Sequence, residues 1–251
     1  MEKKRIKLTV AYDGTDYHGW QYQPGAKTIE GELNNALSEL LNEDITVVGA
    51  SRTDAGVHAL CNIAVFDTAS PIPAKKISYA LNRHLPPDIR IRKSEAAAND
   101  YHPRRVNSRK TYEYRIHSAD FPIPTMRLYH HFTYHRLDTE KMQIAAEYLI
   151  GEHDFKSFCA VGAVVETTVR TIYEASVTAV KSDEIIITVT GNGFLYNMVR
   201  IIAGTLIDIG MGKYPPEHMK EIILTQNRTA AGPTAPAKGL SLININAKTF
   251  S

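Results

Sequence analysis

The feature that most limits how this chain can fold is the order of hydrophobic patterns in its N-terminal part. Arg5 to Tyr12 alternates apolar and polar residues as a half-buried strand does. Ile29, Leu33, Ala36, Leu37, Leu40 and Leu41 then recur at helical spacing behind Thr28, whose hydroxyl suits an N-cap. Glu30 and Glu32 sit in the first turn, where the helix dipole favours acids. Ile45 to Val48 and Leu60 to Phe66 read as strands, and a second helix is expected from Ala74 to His84 around Ile77, Ala80 and Leu81. Pro86-Pro87-Asp88 stops it before a last strand at Ile89 to Arg92.

Strand, helix, strand, strand, helix, strand is the ferredoxin-like order, an α+β arrangement whose antiparallel sheet carries its helices on one face and leaves the other for a ligand. A boundary is expected between Asn99 and Arg105, where His102, Pro103 and two arginines interrupt the apolar pattern, giving domains 1–102 and 103–251. The second domain is expected to hold a strand at Lys110 to Ile116, a helix from Asp138 to Leu149 and a hairpin of Thr171 to Val180 with Glu184 to Thr190. A helix from Leu195 to Ile209, a shorter one after Pro215-Pro216 and a closing strand from Leu240 to Ile245 complete it. The expected architecture is two ferredoxin-like (RRM-like) halves, antiparallel sheets flanked by helices, with an active-site cleft between them.

Within this frame one loop stands out, Gly49-Ala50-Ser51-Arg52-Thr53-Asp54-Ala55-Gly56-Val57-His58-Ala59, held between two apolar runs. It sets a cation, hydroxyls and a carboxylate side by side on a connection that a scaffold can fix while its side chains face a ligand. Asp54 followed two residues later by Gly56 also suits a plain β-turn, the carboxylate taking backbone N–H groups and the glycine a positive φ. On the functional reading, Arg52 keeps Asp54 ionised in a partly desolvated site. The loop alone supports both.

Charge distribution says more than the net charge of +2. Between Lys75 and Arg115 stand eleven Lys and Arg against four acids, including Lys75, Lys76, Arg83, Arg104, Arg105, Arg109 and Lys110, a footprint suited to a phosphate backbone as well as to a solvated face. With 43% apolar residues the chain can build packed cores, which excludes a disordered chain. Cys61 and Cys159 lie far apart without Cys-x-x-Cys spacing, which argues against a disulfide framework or zinc cluster and fits a reducing, cytoplasmic setting. The start Met1-Glu2-Lys3-Lys4-Arg5 is basic, but Ile6-Lys7-Leu8-Thr9-Val10 alternates where a signal peptide needs a continuous apolar run.

Other chemistries fit less well. Ser51 with His58 lacks the glycine and helix of a nucleophile elbow. His58 and Cys61 have no second ligand pair to complete a metal tetrahedron, and a zinc deaminase would need Cys-x-x-Cys. Gly191-Asn192-Gly193-Phe194-Leu195-Tyr196 follows a strand and precedes a helix, as a dinucleotide fingerprint would, but Tyr196 replaces its third glycine and the strand belongs to a hairpin. On the next helix Asn197, Arg200, Gly204 and Asp208 share a face, and Gly204 there would let another backbone come close. Tyr112, beside Arg109 and Lys110, is either strand packing or an aromatic that stacks an unpaired base while phosphates are held nearby.

Taken together these residues resemble the tRNA pseudouridine synthase A family. Tyr12-Asp13-Gly14-Thr15 with Tyr17 and Gly19-Trp20-Gln21 matches its N-terminal motif, and Arg52-Thr53-Asp54-Ala55-Gly56-Val57-His58-Ala59 matches its catalytic loop. Further matches are Arg109-Lys110-Thr111-Tyr112-Glu113-Tyr114, His153-Asp154-Phe155 with Ser157-Phe158, Phe194-Leu195 with Met198-Val199-Arg200, and Ala235-Pro236 with Gly239-Leu240, all in the family's order. The segment Tyr101-His102-Pro103-Arg104-Arg105-Val106 departs from the family's pattern at Tyr101 and Val106. The resemblance implies that Asp54 is the catalytic nucleophile or base, that Arg200 pairs with it, and that Arg52 holds the extruded nucleotide and its phosphates. It implies further that Tyr112 stacks on the target base, that Leu240 packs in the active site and that Arg109 and Lys110 bind the RNA. The implied substrate is tRNA, at uridines 38, 39 and 40 of the anticodon stem-loop, and the implied enzyme is a homodimer with no cofactor, no metal and no membrane. A non-catalytic RNA-binding module that kept the cleft is the alternative from another class.

Overall fold

The computed structural model describes residues 3–160, 162 and 165–247; Met1 and Glu2 of the basic start lie outside them. The alternating start becomes strand β1 (Lys4–Tyr12), buried at every second residue from Ile6 to Tyr12. Helix α1 (Ile29–Leu41) begins where Thr28 Oγ1 accepts the Gly31 N–H at 3.2 Å, and ends at Asn42 in the left-handed conformation. It buries Ile29, Leu33, Ala36 and Leu37, the apolar face that the spacing announces.

The strand expected at Ile45 to Val48 is mostly not one. Only β2 (Val48–Gly49) pairs, because the N–H groups of Ile45 and Val47 are taken by Ser38 and Asn34 of α1, at 3.0 and 2.9 Å. Ile45 and Val47 are buried nonetheless, so their alternation reports burial and not a ladder. Strand β3 (His58–Thr68), helix α2 (Ala74–Leu81) and strand β4 (Ile89–Ala97) follow. α2 ends short of His84, and Asn82 just past it exchanges two hydrogen bonds with the backbone of Ile91, 2.8 and 3.0 Å, tying the helix end to β4. The strands run in the order β4-β1-β3-β2, antiparallel throughout. Ile6 and Leu8 of β1, Leu33 and Leu37 of α1, and Ile77 and Leu81 of α2 form a fully buried core.

The other half opens with β5 (Ser108–Ser118) and continues through β6 (His131–Thr133), helix α3 (Thr139–Glu147), β7 (Gly151–Asp154), β8 (Val169–Ala179) and β9 (Glu184–Gly191). Strands β5-β9-β8-β7 form an antiparallel array, and β6 joins β5 in parallel at its Ile116–Ser118 end. β6 and β7 have no counterpart in the sequence pattern, because three or four residues are too few to show a period. Helix α4 (Met198–Gly210) is buried at every residue except Arg200. It starts three residues later than its apolar pattern, because Asn197 takes φ 60 and breaks the helical path. Helix α5 (His218–Thr225) and strand β10 (Leu240–Ala247) complete the fold, which is α+β.

The chain divides into two compact units, Met1–Asn107 with Leu242–Ser251, and Ser108–Ser241. The division thus falls after Asn107 and not at residue 102, and the second unit does not run to the chain end: most of β10 returns to the first, beside β3. Burial patterns in sequence cannot reveal this, since a strand looks the same whichever sheet it joins. No helix among the described residues is long and apolar enough to cross a membrane.

Candidate active site

In the first unit the loop between β2 and β3 is pinned along its backbone. Ala50 N–H donates to Ile63 O at 2.7 Å, the Asn62 side chain takes Ser51 N–H and donates to Ser51 O, and Thr53 Oγ1 meets the Tyr12 hydroxyl at 2.8 Å. Ser51 and Thr53 are buried, Arg52 is exposed and Asp54 half-buried. The segment therefore turns its hydroxyl residues inward and offers the cation and the carboxylate outward. The Asp-x-Gly turn exists, with Gly56 at φ 76, and the Asp54 carbonyl closes it by accepting Val57 N–H at 3.1 Å. That backbone bond closes the turn. Arg52 stands two residues before Asp54 on this segment, exposed where Asp54 is half-buried.

The N-terminal motif forms the cradle of this loop. Trp20 N–H donates to Thr53 O at 3.0 Å and Gly56 N–H to Tyr17 O at 3.2 Å. A side-chain carbon on Gly14 would stand 2.0 Å from Val57 O, and one on Gly19, at φ 87, would stand 2.6 Å from Thr53 O, so only glycine lets the two backbones meet. Gly49 likewise leaves room for the Trp20 indole, which is fully buried and held by packing alone, its N–H having no partner among the described residues. Gly14 N–H donates to His58 Nδ1 at 3.1 Å, and His58 is buried, which gives it a structural place in the cradle. Tyr17 donates its hydroxyl to Asp88 Oδ1 at 2.7 Å, and burial followed by that bond pushes the phenol well above its ordinary value.

Asn62 is the residue that sequence reasoning missed. Fully buried, it donates to Ser51 O and the Tyr12 hydroxyl and accepts from Ser51 and Ile63 N–H. The signal was present as a lone amide in the apolar run Leu60 to Phe66, since a buried amide must find partners.

In the second unit side chains, not backbone, are fixed. Tyr112 on β5 is buried and meets Phe194 edge-on, ring centroids 5.1 Å apart. Tyr114, two residues on and so on the same face, donates to Pro236 O at 2.9 Å; burial drives its phenol up while the positive charge of Arg200 draws it back. Arg200, the one unburied residue of α4, donates through Nε to Ala235 O and through Nη1 to Asn197 Oδ1, both at 2.8 Å. Ala235 N–H returns a bond to Arg200 O, and a side-chain carbon on Gly204 would lie 1.8 Å from Pro233 O. The close backbone approach expected at Gly204 is therefore the Pro233–Ala235 segment, which leads into Leu240 at the start of β10. Leu240 is buried.

Arg109 lays its guanidinium over the Tyr173 ring at 4.2 Å and stays exposed, while Lys110 is half-buried. The basic run is not all free for a ligand: Arg115 pairs with Glu113 and Glu184, and Lys93 with Glu95. Lys75, Lys76, Arg83 and Arg105 remain exposed. The dinucleotide-like glycines serve the β8–β9 hairpin instead, where Asn192 exchanges two bonds with the Thr171 backbone, both 3.0 Å.

A family model described as tRNA pseudouridine synthase matches residues 8–104 and 145–246, which includes the Asp54 loop and Arg200. Among curated relatives, the tRNA pseudouridine synthase A of Ruminiclostridium cellulolyticum is 49% identical over 242 residues, 96% of this chain and 99% of that one. Proteins of the same name from Acetivibrio thermocellus and Brevibacillus brevis are 45% and 46% identical, each over 96% of this chain and 99% of their own length.

Proposed function

We infer the function from one premise: the chain belongs to the tRNA pseudouridine synthase family, and it is an isomerase that turns uridine in tRNA into pseudouridine. The observation that carries this reading is identity of 45 to 49% running over 96% of the chain.

The reaction breaks the N–C1′ bond, turns the uracil and rejoins it through C5. One ionised carboxylate beside C1′ is required and no second one, because water is not a reactant and has to be kept out. Asp54 is that group, the nucleophile of the reaction, presented by a loop whose own bonds leave little freedom. Arg52 favours its ionised form and binds the extruded nucleotide and its phosphates. Arg200, aimed by Ala235 and Asn197, supports the same charge. Tyr112, its ring angle set by Phe194, stacks on the uracil while it is detached. Leu240 packs in the active site, and Arg109 and Lys110 hold the RNA backbone. Flipping a base out of a stem costs about a few kcal/mol, which phosphate contacts from the exposed cations offset.

The β4-β1-β3-β2 order supports reading the first unit as a ferredoxin-like half, and we read the second, with its antiparallel array, as another. The substrate positions are the three anticodon stem-loop uridines, the enzyme works in the cytoplasm as a homodimer, and it uses neither cofactor nor metal. Incubation of the purified protein with unmodified tRNA transcripts, with mapping of every pseudouridine, tests the reading. Modification confined to the anticodon arm is the expected result, and none on any transcript would overturn it.

A further inference from the structure

Arg104 comes after the last strand of the first unit in sequence, yet its side chain reaches back to the reactive loop. Its Nε donates to Gly49 O at 2.8 Å, and its backbone N–H donates to the His102 ring at 3.2 Å. Gly49 lies three residues before Arg52, so the Arg104 guanidinium is tied to the stretch that carries the other cation. The two charges feel each other: burial, then the positive charge of Arg52, pushes the Arg104 guanidinium below its ordinary value, with Glu30 opposing. Glu30 is itself held by the Tyr22 N–H at 2.6 Å, with no salt bridge to Arg104 among the described residues.

Arg104 is thus fixed on the loop that carries Arg52, like charges repel, and among the described residues neither guanidinium is in an ion pair. The Nε bond fixes the Arg104 fork while leaving its two terminal nitrogens unpartnered among the described residues. Such an edge matches two oxygens of a phosphate, and an anion bound there removes the repulsion. We propose that Arg104 and Arg52 form a two-guanidinium clamp for one phosphodiester of the RNA backbone beside the nucleotide that Asp54 attacks. The clamp rests on the pseudouridine synthase reading for the identity of its ligand. Arg104 is then a substrate-binding residue and not a catalytic one.

The test measures tRNA affinity across a salt series, with kcat and KM, for wild type, Arg104→Gln and Arg104→Lys. Arg104→Gln is expected to make the slope of log K against log salt shallower by at most about 0.7–0.9, the value for losing a phosphate contact outright, since Arg52 still faces the same phosphate. KM should rise about tenfold while kcat stays within about twofold, since the contact is made equally before and during the reaction. Arg104→Lys should keep the slope and recover part of the affinity, a point charge lacking the fork. An unchanged slope in Arg104→Gln overturns the clamp. So does a fall in kcat with slope unchanged, which would mean that Arg104 merely props up Gly49. RNA carrying one neutral methylphosphonate linkage at a time supplies a second arm: one linkage should weaken wild type more than it weakens Arg104→Gln, in which Arg52 alone still meets it, and equal losses at every linkage count against the clamp. Failure of the parent reading looks different: salt-dependent tRNA binding with the predicted slope loss, but no pseudouridine formed, removes the enzyme and leaves the anion site.

Discussion

The two units hold in opposite ways the side chains proposed to act. In the first, the backbone is fixed: bonds from Tyr17, Trp20, Asn62 and Ile63 immobilise the loop, and Arg52 and Asp54 project from it. In the second, the backbone is ordinary strand and helix, and the side chains are fixed one at a time, Tyr112 by a ring and Arg200 by two acceptors. The difference suits the tasks. A short carboxylate has few torsions of its own, so its position is set by the chain beneath it. Arg200, with its many torsions, is held at its far end, which removes beforehand the rotamer freedom that binding would otherwise cost, whereas Arg52 keeps that freedom.

The comparison predicts that chemistry and stability separate cleanly at Asp54. Asp54→Asn should lower the isomerisation rate by about 10⁴-fold or more while leaving melting and tRNA binding at wild-type levels; turnover beyond trace deamidation sinks the nucleophile assignment. Next comes the cradle. Gly14→Ala drives a carbon into Val57 O and should cost about 3 kcal/mol in denaturant unfolding, and Gly204→Ala, meeting Pro233 O, should cost a similar amount. If Gly14→Ala is neutral, the loop is not held as rigidly as argued.

Asn62→Ala leaves the N–H and C=O of Ser51 without their amide partner and should cost about 2 kcal/mol, with kcat falling because the carboxylate is no longer aimed. A loss of stability with kcat intact would break the link between loop backbone and chemistry. Smallest is the second unit's ring. Tyr112→Ala should lose about 1–3 kcal/mol of base stacking from kcat/KM, and Tyr112→Phe should keep most of it. Equal losses would shift the role from the ring to the hydroxyl.

Much of this was legible before the structure. The Asp54 loop, α1 with its Thr28 cap, and the approach at Gly204 come from local pattern and residue type, which local sterics and hydrogen bonding enforce. The strand at Ile45 was misread because alternation reports which side is buried, and here α1 side chains take the N–H groups that a partner strand would need. The role of Gly14, Gly19 and Trp20 was invisible, since the residues they meet lie tens of positions away.

By itself the sequence determined most of the elements, the Asp54 loop and, through its resemblance, the family, because these depend on neighbours a few residues apart or on a shared ordered set of motifs. Only the tertiary structure decided that the N-terminal motif holds the loop from beneath, that β10 returns to the first unit and that Arg104 reaches Gly49. Each is a contact between distant segments, and such contacts are selected by how the whole chain packs and satisfies its buried polar groups, which no local pattern encodes.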